Sequence, residues 1–119
     1  MIQENGLEKL KGKIRVDLVF KKGKALKSGA LIMHYFVPEE GAKKTHMGIG
    51  VPKKTVLMAY RRNRIKRQMR AIVRLREEEI LASLWPGFYM LLYKGKAGVT
   101  SESLLHDFRA LLKRFTQYD

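Results

Sequence analysis

Seven of the fifteen residues from Tyr60 to Arg74 are Arg or Lys, and no acidic residue occurs between Lys53 and Arg76. Guanidinium forks suit two-pronged contacts to phosphate oxygens, and lysines add less directional charge. Asn63 can both donate and accept. The chemistry on offer is capture of a polyanion. Ordinary solvated helix faces mix signs through Glu–Lys pairs four residues apart, and this stretch contains no such pair.

The apolar residues of the same stretch recur at helical spacing. At about 100° per residue, Ile65, Met69, Ile72 and Val73 fall on one side, while Asn63, Arg64, Lys66, Arg67, Arg70 and Arg74 spread over the other. One face can therefore pack on a sheet while the other is nearly continuous positive charge. Arg62 falls beside the apolar stripe, so the core is expected to hold its stem rather than leave it in solvent.

The whole chain repeats this imbalance. It has 119 residues, 25 basic and 11 acidic, with a formal charge of +14. That length fits one domain over residues 1–119 with one modest core. So basic a surface calls for a polyanion, with nucleic acid ranked first and an anionic membrane surface second. No run reaches transmembrane length and no continuous apolar signal segment opens the chain, so a cytoplasmic protein is expected. Cysteine is absent, which excludes disulfides, thiolate metal sites and cysteine nucleophiles.

Nothing in the chain composes a catalytic constellation. His34, His46 and His106 fall in three different elements, and none belongs to an HExxH pattern. There is no phosphate-cradling GxxxxGK[ST] loop, and Gly48-Ile49-Gly50 is followed by Val51-Pro52 instead of a helix-opening glycine turn. The carboxylates are few. They group as Glu39-Glu40 and Glu77–Glu79, with Asp17 and Asp107 isolated, whereas a two-metal nuclease needs several converging on ions roughly 3.5–4 Å apart. No catalytic residue and no protein-held metal are expected. Phe20, Tyr35, Phe36 and Tyr60 can stack on splayed bases, which favours single-stranded RNA. No helix-turn-helix spacing supports sequence-specific reading of duplex DNA.

The elements that position these residues read as follows. Residues 1–12, with Gly6 and Gly12, form an irregular leader. Lys13–Lys22 forms a short helix stopped by Gly23. It has two apolar sides, Ile14 with Leu18 and Val16 with Phe20; one of them is either covered by a terminus or left as the wall of a groove. Lys24–Gly29 connects onward with a brief edge strand. Ala30–Val37 alternates as a strand with both faces largely apolar, and Pro38–Gly41 ends it. Thr45–Val51 is a second strand, whose Gly48 and Gly50 leave a trough or admit close packing. The basic helix runs from about Thr55–Ala59 to Leu81, which puts Glu77–Glu79 unfavourably near its C-terminal end. Phe88–Tyr93 is apolar throughout, as expected of a central strand. From Thr100 or Ser101 a last helix carries the stripe Leu104, Leu105, Phe108, Leu111, Leu112 and Phe115. The order is helix, two or three strands, helix, strand, helix, which is a small α+β sandwich. Its mixed sheet carries helices on one face and leaves the other free.

At Arg62-Asn63-Arg64-Ile65-Lys66-Arg67 the sequence resembles the protein component of bacterial ribonuclease P. The likeness takes in the strand exit Val51-Pro52-Lys53-Lys54 and, further along the helix, Arg70 and Arg74. Leu18–Gly23 is similar to the family's first helix, Gly48–Val51 to the strand feeding the signature, and Tyr89–Lys94 to its last strand. The resemblance implies the order αβββαβα with a left-handed crossover, against the usual hand, and a cleft between first helix and sheet. It also implies a protein subunit of a ribonucleoprotein endonuclease that removes the 5′ leader of precursor tRNA. The catalytic centre and its magnesium would reside in the RNA subunit, the protein alone being inactive. Contacts to the RNA subunit and precursor tRNA would fall to Lys53, Lys54, Arg62, Asn63, Arg64, Lys66, Arg67, Arg70 and Arg74. The leader cleft would fall to Phe20, Tyr35 or His34, and Val16. Two positions depart from the family pattern: Val16 stands where phenylalanine is usual, and Ala71 where an acid is common. The rival reading is a ribosome- or RNA-associated binding protein with no part in hydrolysis, followed by a DNA-binding regulator.

Overall fold

A computed structural model describes residues 6–116. The period-two segments become a five-stranded mixed sheet of β1 (Leu7–Lys9), β2 (Lys24–Ser28), β3 (Leu31–Phe36), β4 (Thr45–Gly50) and β5 (Phe88–Tyr93). Their spatial order is β1-β4-β5-β3-β2. β5 lies at the centre, parallel to β4 and antiparallel to β3, which accounts for its unbroken apolar run. The helices are α1 (Lys13–Lys22), α2 (Ala59–Leu75), α3 (Glu77–Ser83) and α4 (Ser101–Thr116).

One face of the sheet presents Leu31, Met33, Met47, Tyr89, Leu91 and Tyr93 to the main core. Ile65, Met69 and Ile72 of α2, Ile80 of α3, and Leu104, Phe108, Leu111 and Leu112 of α4 close over them. Each large side chain buried there contributes roughly 1.5–3 kcal/mol. The α+β class and mixed sheet follow the expectation, and α2, α3 and α4 share one face. α1 instead crosses the opposite face, over β3 and β5. The reason is that β3 and β5 are apolar on both sides, so the second face also needs cover. Val19, fully buried, is the residue α1 seats there.

The structure corrects three further readings and decides a fourth. The leader, of which residues 1–5 lie outside the described part, is not irregular throughout. Leu7–Lys9 pairs in parallel with Thr45–Met47, and Gly6 and Gly12, both with positive φ, bracket that strand instead of preventing it. The basic helix ends at Leu75, and Arg76 (φ −106°, ψ 23°) joins it to α3. Glu77–Glu79 therefore form the first turn of a new helix, where acids complement the dipole. Of the two alternatives for Gly48 and Gly50, close packing is the one realised. A Cβ at Gly48 would lie 2.5 Å from the Met90 sulfur and 3.4 Å from Leu10, and one at Gly50 would lie 2.9 Å from Leu92.

Asp107 of α4 is not idle either. It accepts a hydrogen bond from the Ala30 amide at 3.1 Å, fixing the β2–β3 turn to α4. Gly29 turns there with φ +56°, and a Cβ would meet the Asp107 carboxylate at 2.4 Å.

Candidate nucleic-acid interface

The segment between β4 and α2 places the first two cations. Val51 and Val56 are buried, and the amides of Thr55 and Val56 donate to Pro52 O at 3.0 and 3.2 Å. These contacts leave Lys53 and Lys54 exposed on a fixed turn. Arg62 ties this turn to the helix. Its Nη1 donates to Val56 O at 2.9 Å and to Leu57 O at 2.7 Å. Arg62 is thus an anchor of the interface, held as its place beside the apolar stripe implied. No side-chain oxygen caps the start of α2, and its first turn holds no acid. The positive end of the helix dipole consequently adds to the charge there.

Along α2, Asn63, Arg64, Arg67, Arg70 and Arg74 are exposed and Lys66 is half-buried. The ion pairs found among the described residues, Lys44–Glu8 and Arg109–Glu79, involve no cation of α2. Gln68 fixes the helix laterally, its Nε2 donating to Val99 O at 3.2 Å and to Ser101 Oγ at 3.1 Å. Two shallow cavities flank the cationic ridge. One, of about 340 Å³, holds Arg64 with Tyr60, Arg61 and the Ala97–Val99 loop. The other, of about 410 Å³, holds Arg70 and Arg74 beside β1 and Glu77. Tyr60 is exposed, with Arg61 Nε donating to its hydroxyl at 3.1 Å and the guanidinium 5.7 Å from the ring centre.

On the second face, the Phe20 ring lies 4.8 Å from that of His34, tilted by 56°, and remains 42% exposed. Val16, one helical turn away on the same flank, is half-buried. Burial, with Lys94 adding repulsion, lowers the His34 pKa below the usual histidine value. Of His34 and Tyr35, His34 is the one on the α1 face. Tyr35 points to the core face, edge-on to Phe115 at 4.9 Å and stacked with Tyr89 at 6.1 Å. Successive strand residues point to opposite faces, so only one of the two can meet α1.

Sequence reasoning missed the largest opening described on this face, which lies on the other flank of α1. Arg15, Leu18 and Lys22 line a groove of about 810 Å³ with Phe36, Phe88 and His46. The cue was the i, i+3, i+7 spacing on α1, but the Phe36–Phe88–His46 grouping depends on strand register. No group of three or more His, Asp or Glu able to hold a metal occurs among the described residues.

A sheet backed by three helices and edged by a cationic ridge without acidic partners among the described residues defines a small basic α+β protein suited to a polyanion. The ribonuclease P family profile matches residues 5–116, and the chain belongs to that family. It is a ribonuclease P protein subunit, an RNA-binding protein of tRNA processing. Among solved structures it is similar to the RNase P protein of Thermotoga maritima, with 25% identity, a TM-score of 0.73, and coverage of 90% of this chain and 96% of that one. The Staphylococcus aureus RNase P protein gives 21% identity, a TM-score of 0.72, and coverage of 89% and 93%. A mutant of the S. aureus protein, described as defective in mRNA degradation activity, gives 19% identity, a TM-score of 0.70, and coverage of 89% and 86%. No curated protein sequence matches the chain. No helix among the described residues is long and apolar enough to cross a membrane.

Proposed function

We propose that the exposed face of α2, with Lys53 and Lys54, binds the ribonuclease P RNA subunit and precursor tRNA, and that the Phe20–His34 flank of α1 receives the 5′ leader. The observation that carries this reading is the run of α2 cations without acidic partners among the described residues, set beside a turn that Arg62 holds in place. Such a face suits phosphate oxygens. Magnesium, held by the RNA subunit, would supply the Lewis acid for endonucleolytic removal of the leader. The protein contributes binding and placement of substrate, in the cytoplasm.

The test is cleavage of precursor tRNA in magnesium by the protein freed of RNA, by the RNA subunit, and by the two combined. Cleavage that requires the RNA and is promoted by the protein is expected. An mRNA substrate belongs in the same assay, given the activity named for the S. aureus protein. Cleavage of precursor tRNA by RNA-free protein would overturn the division of labour.

A further inference from the structure

We propose that the Leu18 flank of α1 forms a second binding groove for single-stranded RNA, separate from the Phe20–His34 flank. It rests on RNA being the partner of α2. Leu18 and Phe20 are two residues apart, hence about 200° apart around the helix, so the two flanks face away from each other across α1. Val19, buried between them, closes the space beneath the helix.

The groove combines the two features a single strand requires. Its floor is aromatic, with Phe36 and Phe88 half-buried and directly paired in register. Arg15 lies over Phe88, its guanidinium carbon 5.2 Å from the ring centre. Rings and guanidinium planes of this kind stack on bases without regard to sequence. Its α1 wall is cationic, with Arg15 and Lys22 exposed and in no ion pair among the described residues; Lys43 adds charge on the far rim. Lys44 is held by Glu8 at 2.9 Å. Burial, with Arg15 adding repulsion, lowers the pKa of His46 below the usual histidine value. Glu39 and Glu40 lie on the far rim, which sets the phosphates along α1. A volume of about 810 Å³ suits unstacked nucleotides.

The chain has no cysteine, so one introduced thiol can carry a photoreactive label at a chosen place. Lys43→Cys reports on the groove and Ala71→Cys, exposed on α2, on the basic helix, with a short oligoadenylate as probe. Crosslinking at both positions is expected. Adding Arg15→Gln and Lys22→Gln to the Lys43→Cys protein should cut its crosslink severalfold, and adding them to the Ala71→Cys protein should leave its crosslink intact. Removing both cations should also reduce the salt slope of binding by about 0.7 for each phosphate that they neutralise. Crosslinking at Ala71→Cys alone overturns the second groove and leaves the α2 reading standing. Crosslinking at neither position overturns both. A Lys43→Cys crosslink indifferent to the two glutamines places the RNA outside the groove and also refutes the proposal.

Discussion

Replacing Arg62 with alanine should remove an anchor as well as a charge. Its Nη1 bridges the carbonyls of Val56 and Leu57 at 2.9 and 2.7 Å. A hydrogen bond from a charged donor contributes about 1.5–3 kcal/mol net. Arg62 is half exposed and both bonds share one nitrogen, so the pair together is expected to contribute roughly 2 kcal/mol. For a domain of this size that is a drop in Tm on the order of 5–10 °C. Arg67 is exposed and in no ion pair among the described residues, and Arg67→Ala should stay within about 0.5 kcal/mol of the parent. Urea unfolding of the two variants makes the comparison, with the m-value checked for constancy. Loosening the turn should also misplace Lys53 and Lys54, so alanine at those lysines costs less RNA affinity in the Arg62→Ala background than in the parent. An Arg62→Ala protein as stable as Arg67→Ala, with additive decreases in affinity, would refute the anchoring role.

Phe20→Ala should weaken binding of precursor tRNA more than of mature tRNA, by roughly 1–3 kcal/mol for one base stack; equal weakening would remove the leader from this flank. Asp107→Ala should cost about 1–3 kcal/mol by leaving the Ala30 amide without its partner, measurable as a lower urea midpoint. His34 has a folded pKa below its ordinary value, so between those two values the unfolded chain binds more protons. Its contribution to stability is therefore present at neutral pH and is lost as pH falls through the ordinary histidine range toward the folded pKa. Thermal melts of parent and His34→Gln should diverge with pH in that window, the variant being less sensitive to acid; parallel curves would contradict the shift.

The sheet was legible because β3 and β5 announce themselves by alternation and by continuous apolarity. α2 was legible because its stripe keeps helical phase through a very basic stretch. β1 was not, since three residues carry too little periodicity and its pairing with β4 is a long-range event. The end of α2 was hidden because apolar phase continues past Arg76, and only the backbone there separates two helices. Once separated, Glu77–Glu79 change from a liability at a C-terminus to an asset at an N-terminus. The cationic residues of the interface were readable one by one from the helical wheel, and so was the restraint on Arg62. Choosing between His34 and Tyr35 required knowing which face of β3 meets α1. The Leu18 groove required the register that sets Phe36, Phe88 and His46 side by side.

The measurement that bears most directly on the α2 interface is the affinity of Arg67→Ala and Arg70→Ala for the ribonuclease P RNA and for precursor tRNA across a salt series, with folding verified for each. Phosphate binding by this face predicts weaker association with little dependence on base identity, and a salt slope reduced by about 0.7–0.9 for each phosphate left without its cation. Folded variants with unchanged affinity and unchanged slope would contradict it and leave the ridge as a solvated charged surface.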